Sequence, residues 1–247
     1  MTKDEVLGRK SRPSQVSVAD GSKFIGAVFL YMFLALLITG VVAIGLGALF
    51  EKFLFSAETA EVASKAYLIT LIVSLVLYIP MMIIVQVAAL RNSKGMVPCY
   101  VLYSITMGVF LSTFTNFIPF IDIAIAFGGT CLAFGLMTII AWFSKRNLST
   151  LGLIGSGLLF GTFMLLLINL PLMLFFEPAA VILSAVISFV MLIAVILITV
   201  IDLRNVKEIA SRGGAANNVA LLCALSLYVD FIYIFIRLLA LVARARR

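Results

Sequence analysis

Asp230 lies midway along an apolar stretch, Ala224-Leu225-Ser226-Leu227-Tyr228-Val229-Asp230-Phe231-Ile232-Tyr233. A carboxylate at the centre of a membrane-spanning helix costs roughly 2.5–3.5 kcal/mol on insertion scales, so it turns toward protein, a partner or water. Ser226, Asp230, Tyr233 and Arg237 recur at i, i+4, i+7 and i+11, one stripe on one face of a helix. Such a stripe lines a pore or an internal cavity, with Ser226, Tyr233 and Arg237 as its polar wall. Taken alone, Asp230 also fits a buried structural carboxylate.

Asp202 follows Ile196-Leu197-Ile198-Thr199-Val200-Ile201 and precedes Leu203-Arg204-Asn205-Val206-Lys207. It is expected at the end of an apolar segment, and position alone also allows a helix-end charge paired with Arg204 or Lys207. Arg91 closes another apolar segment just after Gln86. It reads either as a topology anchor or as a planar guanidinium that could hold a carboxylate bidentately. Gln86, Thr113, Asn116, Thr162 and Asn169 are polar within apolar runs and are expected to make interhelical hydrogen bonds.

These residues sit in a sequence built for lipid. Of 247 residues, 64% are hydrophobic and 12% charged, against about 45–50% and about 25% in a soluble domain. A soluble fold of this length would expose large apolar patches. Seven apolar segments, near 24–50, 67–90, 96–119, 121–143, 149–176, 179–201 and 217–242, each approach the ~20 residues a crossing needs. The first is too long for the ~7–15-residue core of a signal peptide and reads as a span. The fold class expected is an all-α integral membrane protein, with a cytoplasmic arm over 1–23, a transmembrane domain over 24–242 and a basic tail over 243–247.

The basic residues set the orientation. Lys3, Arg9, Lys10, Arg12, Lys23, Arg91, Lys94, Lys145, Arg146, Arg204, Lys207 and Arg212 fall on one side; Lys52 and Lys65 fall on the other. The positive-inside rule puts the N-terminus in the cytoplasm. The length of the last segment favours a full seventh crossing; a re-entrant last segment would return Arg244, Arg246 and Arg247 to the N-terminal side. The net charge of +7 does not point to nucleic acid, because the basic residues punctuate apolar runs without interleaved aromatics. Cys99, Cys131 and Cys223 are isolated and suit packing, with no disulfide framework or cysteine metal motif. No phosphate loop, nucleophile elbow or zinc motif is present, which argues against an enzyme. An intramembrane aspartyl hydrolase would need glycine-flanked aspartates that this sequence lacks.

The stretch from Ala224 to Ile232 resembles the late A-L-S-L-Y-x-D-F-I motif of the Bax inhibitor-1 (transmembrane Bax-inhibitor-motif) family, and Ile201-Asp202-Leu203 with Val206-Lys207 is similar to the end of that family's sixth span. Over residues 1–190 the resemblance is mostly architectural. It implies a seven-helix bundle with the last helix central, and the proton-sensitive calcium leak of bacterial members. It also implies that Asp202 and Asp230 form a pH-sensing pair near the cytoplasmic side, with Arg91 as the nearest match to the arginine that engages it. Two carboxylates brought close cannot both ionise cheaply, so such a pair holds a proton. That would supply a neutral-range switch to a sequence with no histidine. Freed carboxylates would also bind Ca²⁺ transiently, as permeant ion and not as cofactor. The expected partners are membrane lipid, Ca²⁺ and protons, and the expected location is a prokaryotic plasma membrane. The competing expectation is an interaction protein that regulates a membrane protease or a cell-death response through the N-terminal arm or a cytoplasmic turn.

Overall fold

The computed structural model describes residues 18–54, 60–90, 95–115, 118–143, 149–213 and 217–245. Arg91 and Asn116 lie outside the described residues, as does the arm up to residue 17, where the interaction-protein reading placed much of its function.

Lipid offers no partner for backbone N–H and C=O groups, so an apolar chain must satisfy them within each segment. The described residues form seven helices: α1 (Val18–Leu54), α2 (Ala60–Leu90), α3 (Met96–Thr115), α4 (Phe120–Phe143), α5 (Ser149–Phe175), α6 (Glu177–Ser211) and α7 (Asn217–Ala245). All seven are long and apolar enough to cross a membrane.

Three boundaries differ most from the sequence expectation, and at one of them α2 begins at Ala60, seven residues before the expected 67. Helix α1 begins at Val18, inside the expected arm. Helix α6 runs ten residues past 201, so Asp202 sits within the helix and not at its end. The extension has its own buried stripe, Leu203, Val206 and Ala210 at i, i+3 and i+7. It stops at Gly213, whose φ of 117° is a left-handed conformation that glycine adopts without Cβ strain.

Helix α7 is central. It packs against α1, α2, α3, α4 and α6. Of its apolar span 61% is buried, against 13% for α2. Helix α5 packs on α6. Close approach depends on glycine where backbones meet: a Cβ on Gly108 of α3 would stand 2.8 Å from the Thr39 carbonyl oxygen of α1. Three helices are tied at one polar node. The Thr39 hydroxyl donates to the Ser104 carbonyl of α3 at 3.0 Å and lies 2.7 Å from the Tyr228 hydroxyl of α7.

Contacts also align the helix ends. A Cβ on Gly21 near the start of α1 would lie 2.7 Å from the Ala210 carbonyl near the end of α6. Lys207 of α6 donates to the Trp142 carbonyl at the end of α4 and stands 5.4 Å from the Trp142 ring centroid. The start of α1 and the ends of α4 and α6 therefore share one end of the bundle, called here the N-terminal end.

Thr113 and Thr162 donate to carbonyls of their own helices, Phe110 at 2.7 Å and Leu158 at 2.7 Å, because a threonine hydroxyl can reach the preceding turn. The three cysteines are free; Cys131 is exposed on the bundle surface, whereas Cys99 and Cys223 are partly buried.

Candidate functional site: a cavity with two aspartates

Three helices, α2, α6 and α7, enclose a cavity of about 300 Å³, lined by Met82, Gln86, Ile198, Asp202, Leu222, Leu225, Ser226, Val229 and Asp230. Its polar groups form a gradient of depth. Gln86 and Ser226 are exposed and Asp202 is half-buried. Asp230 is 7% exposed.

Helix geometry accounts for the gradient. Asp202 stands nine residues before the end of α6, about 14 Å in from the N-terminal end of the bundle at 1.5 Å per residue. The Ser226 hydroxyl donates to Asp202 Oδ2, which sets the register of α7 against α6. Asp230 follows Ser226 by one turn, about 6 Å deeper. It meets the level of Thr199, whose buried hydroxyl lies within hydrogen-bonding reach of its carboxyl group. That hydroxyl also donates to the Val195 carbonyl at 2.8 Å.

The two carboxyl groups act on each other electrostatically. Asp230 Oδ2 is buried and has no hydrogen-bond partner, a costly state for a charged oxygen. Arg204 turns to Glu208, with Nε 3.2 Å from Oε1, and Lys207 is held at Trp142. The helix-end ion pairing that position alone allowed for Asp202 gives way to a hydrogen bond from the neighbouring helix.

The rest of the α7 stripe divides. Ser226 and Asp230 line the cavity; Tyr233 and Arg237 are not among its lining residues. Tyr233 meets the hydroxyl of Tyr78 on α2. Arg237 reaches back to α6, donating to Ser188 Oγ at 3.1 Å and contacting Met191 Sδ at 2.7 Å. Depth explains the split, since Tyr233 and Arg237 stand seven and eleven residues, about 11 and 17 Å, further along α7 than Ser226. Gln86 takes a place in the cavity wall that its sequence signal did not distinguish from an ordinary interhelical hydrogen bond. Met82, Ile198 and Leu222 were not legible as lining residues, because apolar side chains on an apolar helix carry no mark of the face they occupy. Asn169 is buried elsewhere, on α5, with Oδ1 unbonded.

Chemically, the site offers two carboxylates, a hydroxyl and an amide oxygen around a small volume. It can hold a proton between carboxyl groups or present oxygens to a hard cation. Among the described residues no group of three or more His, Cys, Asp or Glu could hold a metal ion.

The family described as inhibitor of apoptosis-promoting Bax1 matches residues 21–247. An uncharacterized protein of Lactococcus lactis subsp. lactis (strain IL1403), YrjE, is 29% identical over 167 residues, covering 66% of this chain and 69% of its own length. No solved structure matches the chain. With a match over nearly its full length, and seven helices able to cross a membrane, the chain belongs to the Bax inhibitor-1 family of membrane proteins.

Proposed function

We propose that the protein is a pH-sensitive calcium leak whose switch is the Asp202–Asp230 pair. The observation that carries this reading is the buried, unbonded oxygen of Asp230 in a cavity shared with a second carboxyl group. Two full charges there lack the hydrogen bonds that would offset desolvation. The closed state on this reading keeps a proton on the pair, which bridges α6 and α7. Loss of that proton adds a charge, drives the carboxyl groups apart and loosens the seam.

The freed carboxylates then present oxygens to Ca²⁺. A resident calcium site takes about 6–8 oxygen ligands. Two carboxylates with Ser226 and Gln86 reach the lower end of that only if both carboxylates bind through both oxygens, so water completes the shell otherwise, and a weak site suits an ion that must leave again. Arg91, one residue past the end of α2 at Leu90, is the cation assigned to meet the freed carboxylates. On this reading the protein is no enzyme: its carboxyl groups hold and release protons and break no bonds. Lys23, Arg204, Lys207 and Arg212 at the N-terminal end support a cytoplasmic placement of that end in a plasma membrane.

The test is Ca²⁺ flux into liposomes holding the purified protein, followed across the neutral pH range for wild type, Asp202→Asn and Asp230→Asn. Flux that rises with pH in wild type and loses that dependence in either variant supports the switch. A pH dependence unchanged in both variants overturns it. No flux at any pH overturns the leak and favours the interaction protein.

A further inference from the structure

The aspartate cavity ends abruptly, and what stops it is a layer of tyrosines. Met82 on α2 and Asp230 on α7 line its deep side. Tyr78 precedes Met82 by one turn and Tyr233 follows Asp230 by one turn, so both stand directly beyond the cavity floor, away from the N-terminal end. Their hydroxyls lie within hydrogen-bonding reach of each other. Tyr103 of α3 stands beside Tyr78, with ring centroids 5.7 Å apart.

Behind this trio lies a fixed wall. The Tyr228 ring is 5.9 Å from that of Tyr103 and 6.3 Å from that of Tyr100. Tyr228 is pinned by Thr39 at 2.7 Å, and the Tyr100 hydroxyl donates to the Tyr31 carbonyl at 3.2 Å. Tyr103 is fully buried; the Tyr78 hydroxyl lies within reach of its own, but the two make no well-aligned hydrogen bond. A buried hydroxyl left unsatisfied disfavours the arrangement that buries it. Water entering the layer would relieve it. Pro80, two residues from Tyr78, has no N–H to offer the Val76 carbonyl, so α2 lacks a rung beside the layer.

We propose that Tyr78, Tyr103 and Tyr233 form the barrier that closes the aspartate cavity from the far side of the bundle, with the meeting of the Tyr78 and Tyr233 hydroxyls as its latch. The proposal rests on the reading of the cavity as one end of a permeation path. It adds the place where that path is interrupted and the residues that interrupt it. Aromatic rings fill the passage with bulk, whereas their hydroxyls give a passing hydrated ion something to touch once the rings part.

The test uses the full-length protein in vesicles, with Cys99, Cys131 and Cys223 replaced by alanine and Leu222→Cys in the cavity wall as the probe. A membrane-impermeant thiol reagent is added from the far side. In this background Leu222→Cys is expected to resist labelling, and Tyr78→Ala with Tyr233→Ala is expected to speed it severalfold. Tyr78→Phe with Tyr233→Phe keeps the rings and removes the latch; it is expected to give a smaller rise, and it decides the matter if the alanine pair does not fold. Labelling that is already fast with all tyrosines present, or unchanged in the variants, overturns the barrier. Labelling that opens on schedule in a protein with no Ca²⁺ flux upholds the barrier and overturns the leak.

Discussion

The Ser226 hydroxyl of α7 donates to the Asp202 carboxylate of α6, and one turn further along α7 stands Asp230. This single contact puts the two carboxyl groups into one cavity. It also makes Ser226 the hydrogen-bond donor that α7 supplies to the Asp202 carboxylate.

Ser226→Ala therefore removes support from the deprotonated pair. Deprotonation then needs a higher pH, and the midpoint of the Ca²⁺ flux profile is expected to move upward by about one to two units, given ~1.5–3 kcal/mol for a hydrogen bond to a charged group and ~1.4 kcal/mol per unit. Ser226→Thr keeps the hydroxyl and is expected to stay near wild type. Proteoliposome flux against pH checks both, and a downward shift in the alanine variant would contradict the account.

Asp230→Asn separates a switching role from a structural one. Asp230 Oδ2 has no partner to lose, and asparagine keeps the shape without the charge. The variant is expected to melt no lower than wild type at alkaline pH, where the wild-type carboxyl is charged. A melting temperature several degrees lower, read in detergent, would make Asp230 a structural carboxylate.

How far the sequence reveals this arrangement depends on the residue. Polar residues on apolar helices are conspicuous, so Asp202, Asp230 and Ser226 could be picked out by type and spacing. The number of helices follows from run length alone. The end of α6 could not be placed, because Leu203, Val206 and Ala210 form an amphipathic turn where the charges of Arg204 and Lys207 suggest a loop. Tyr233 and Arg237 share a stripe with Asp230 in a helical projection, yet they meet Tyr78 and Ser188, since a projection does not carry depth along the axis. Thr39 is one more hydroxyl in an apolar run, with nothing in the sequence to mark it out: its value comes from Ser104 and Tyr228 meeting it from two other helices.

That three-helix node carries a stability prediction. Tyr228→Phe removes one bond and leaves Thr39 donating to Ser104, so its cost is expected near the ~0.6 kcal/mol typical of interhelical hydrogen bonds in membranes. Thr39→Val removes both bonds and is expected to cost more, up to about twice as much. Unfolding of the detergent-solubilised protein by a graded denaturant measures both. Equal costs would mean that the Ser104 bond contributes nothing.

Glycine packing gives a second. A Cβ on Gly108 would meet Val42 Cβ at 2.7 Å and the Thr39 carbonyl oxygen at 2.8 Å, whereas one on Gly157 of α5 would meet nothing within 4 Å. Gly108→Ala is expected to destabilise by about 1–3 kcal/mol through overpacking, and Gly157→Ala to leave the melting temperature unchanged or slightly raised. Similar melts for the two variants would contradict the close α1–α3 approach.

Infrared difference spectroscopy across the neutral pH range reads the proton proposed between Asp202 and Asp230 most directly. A protonated-carboxyl C=O band is expected at the acidic end; it disappears as pH rises in step with Ca²⁺ flux, and it is lost in Asp230→Asn. A band absent throughout, or one that titrates unchanged in Asp230→Asn, would contradict the proposal.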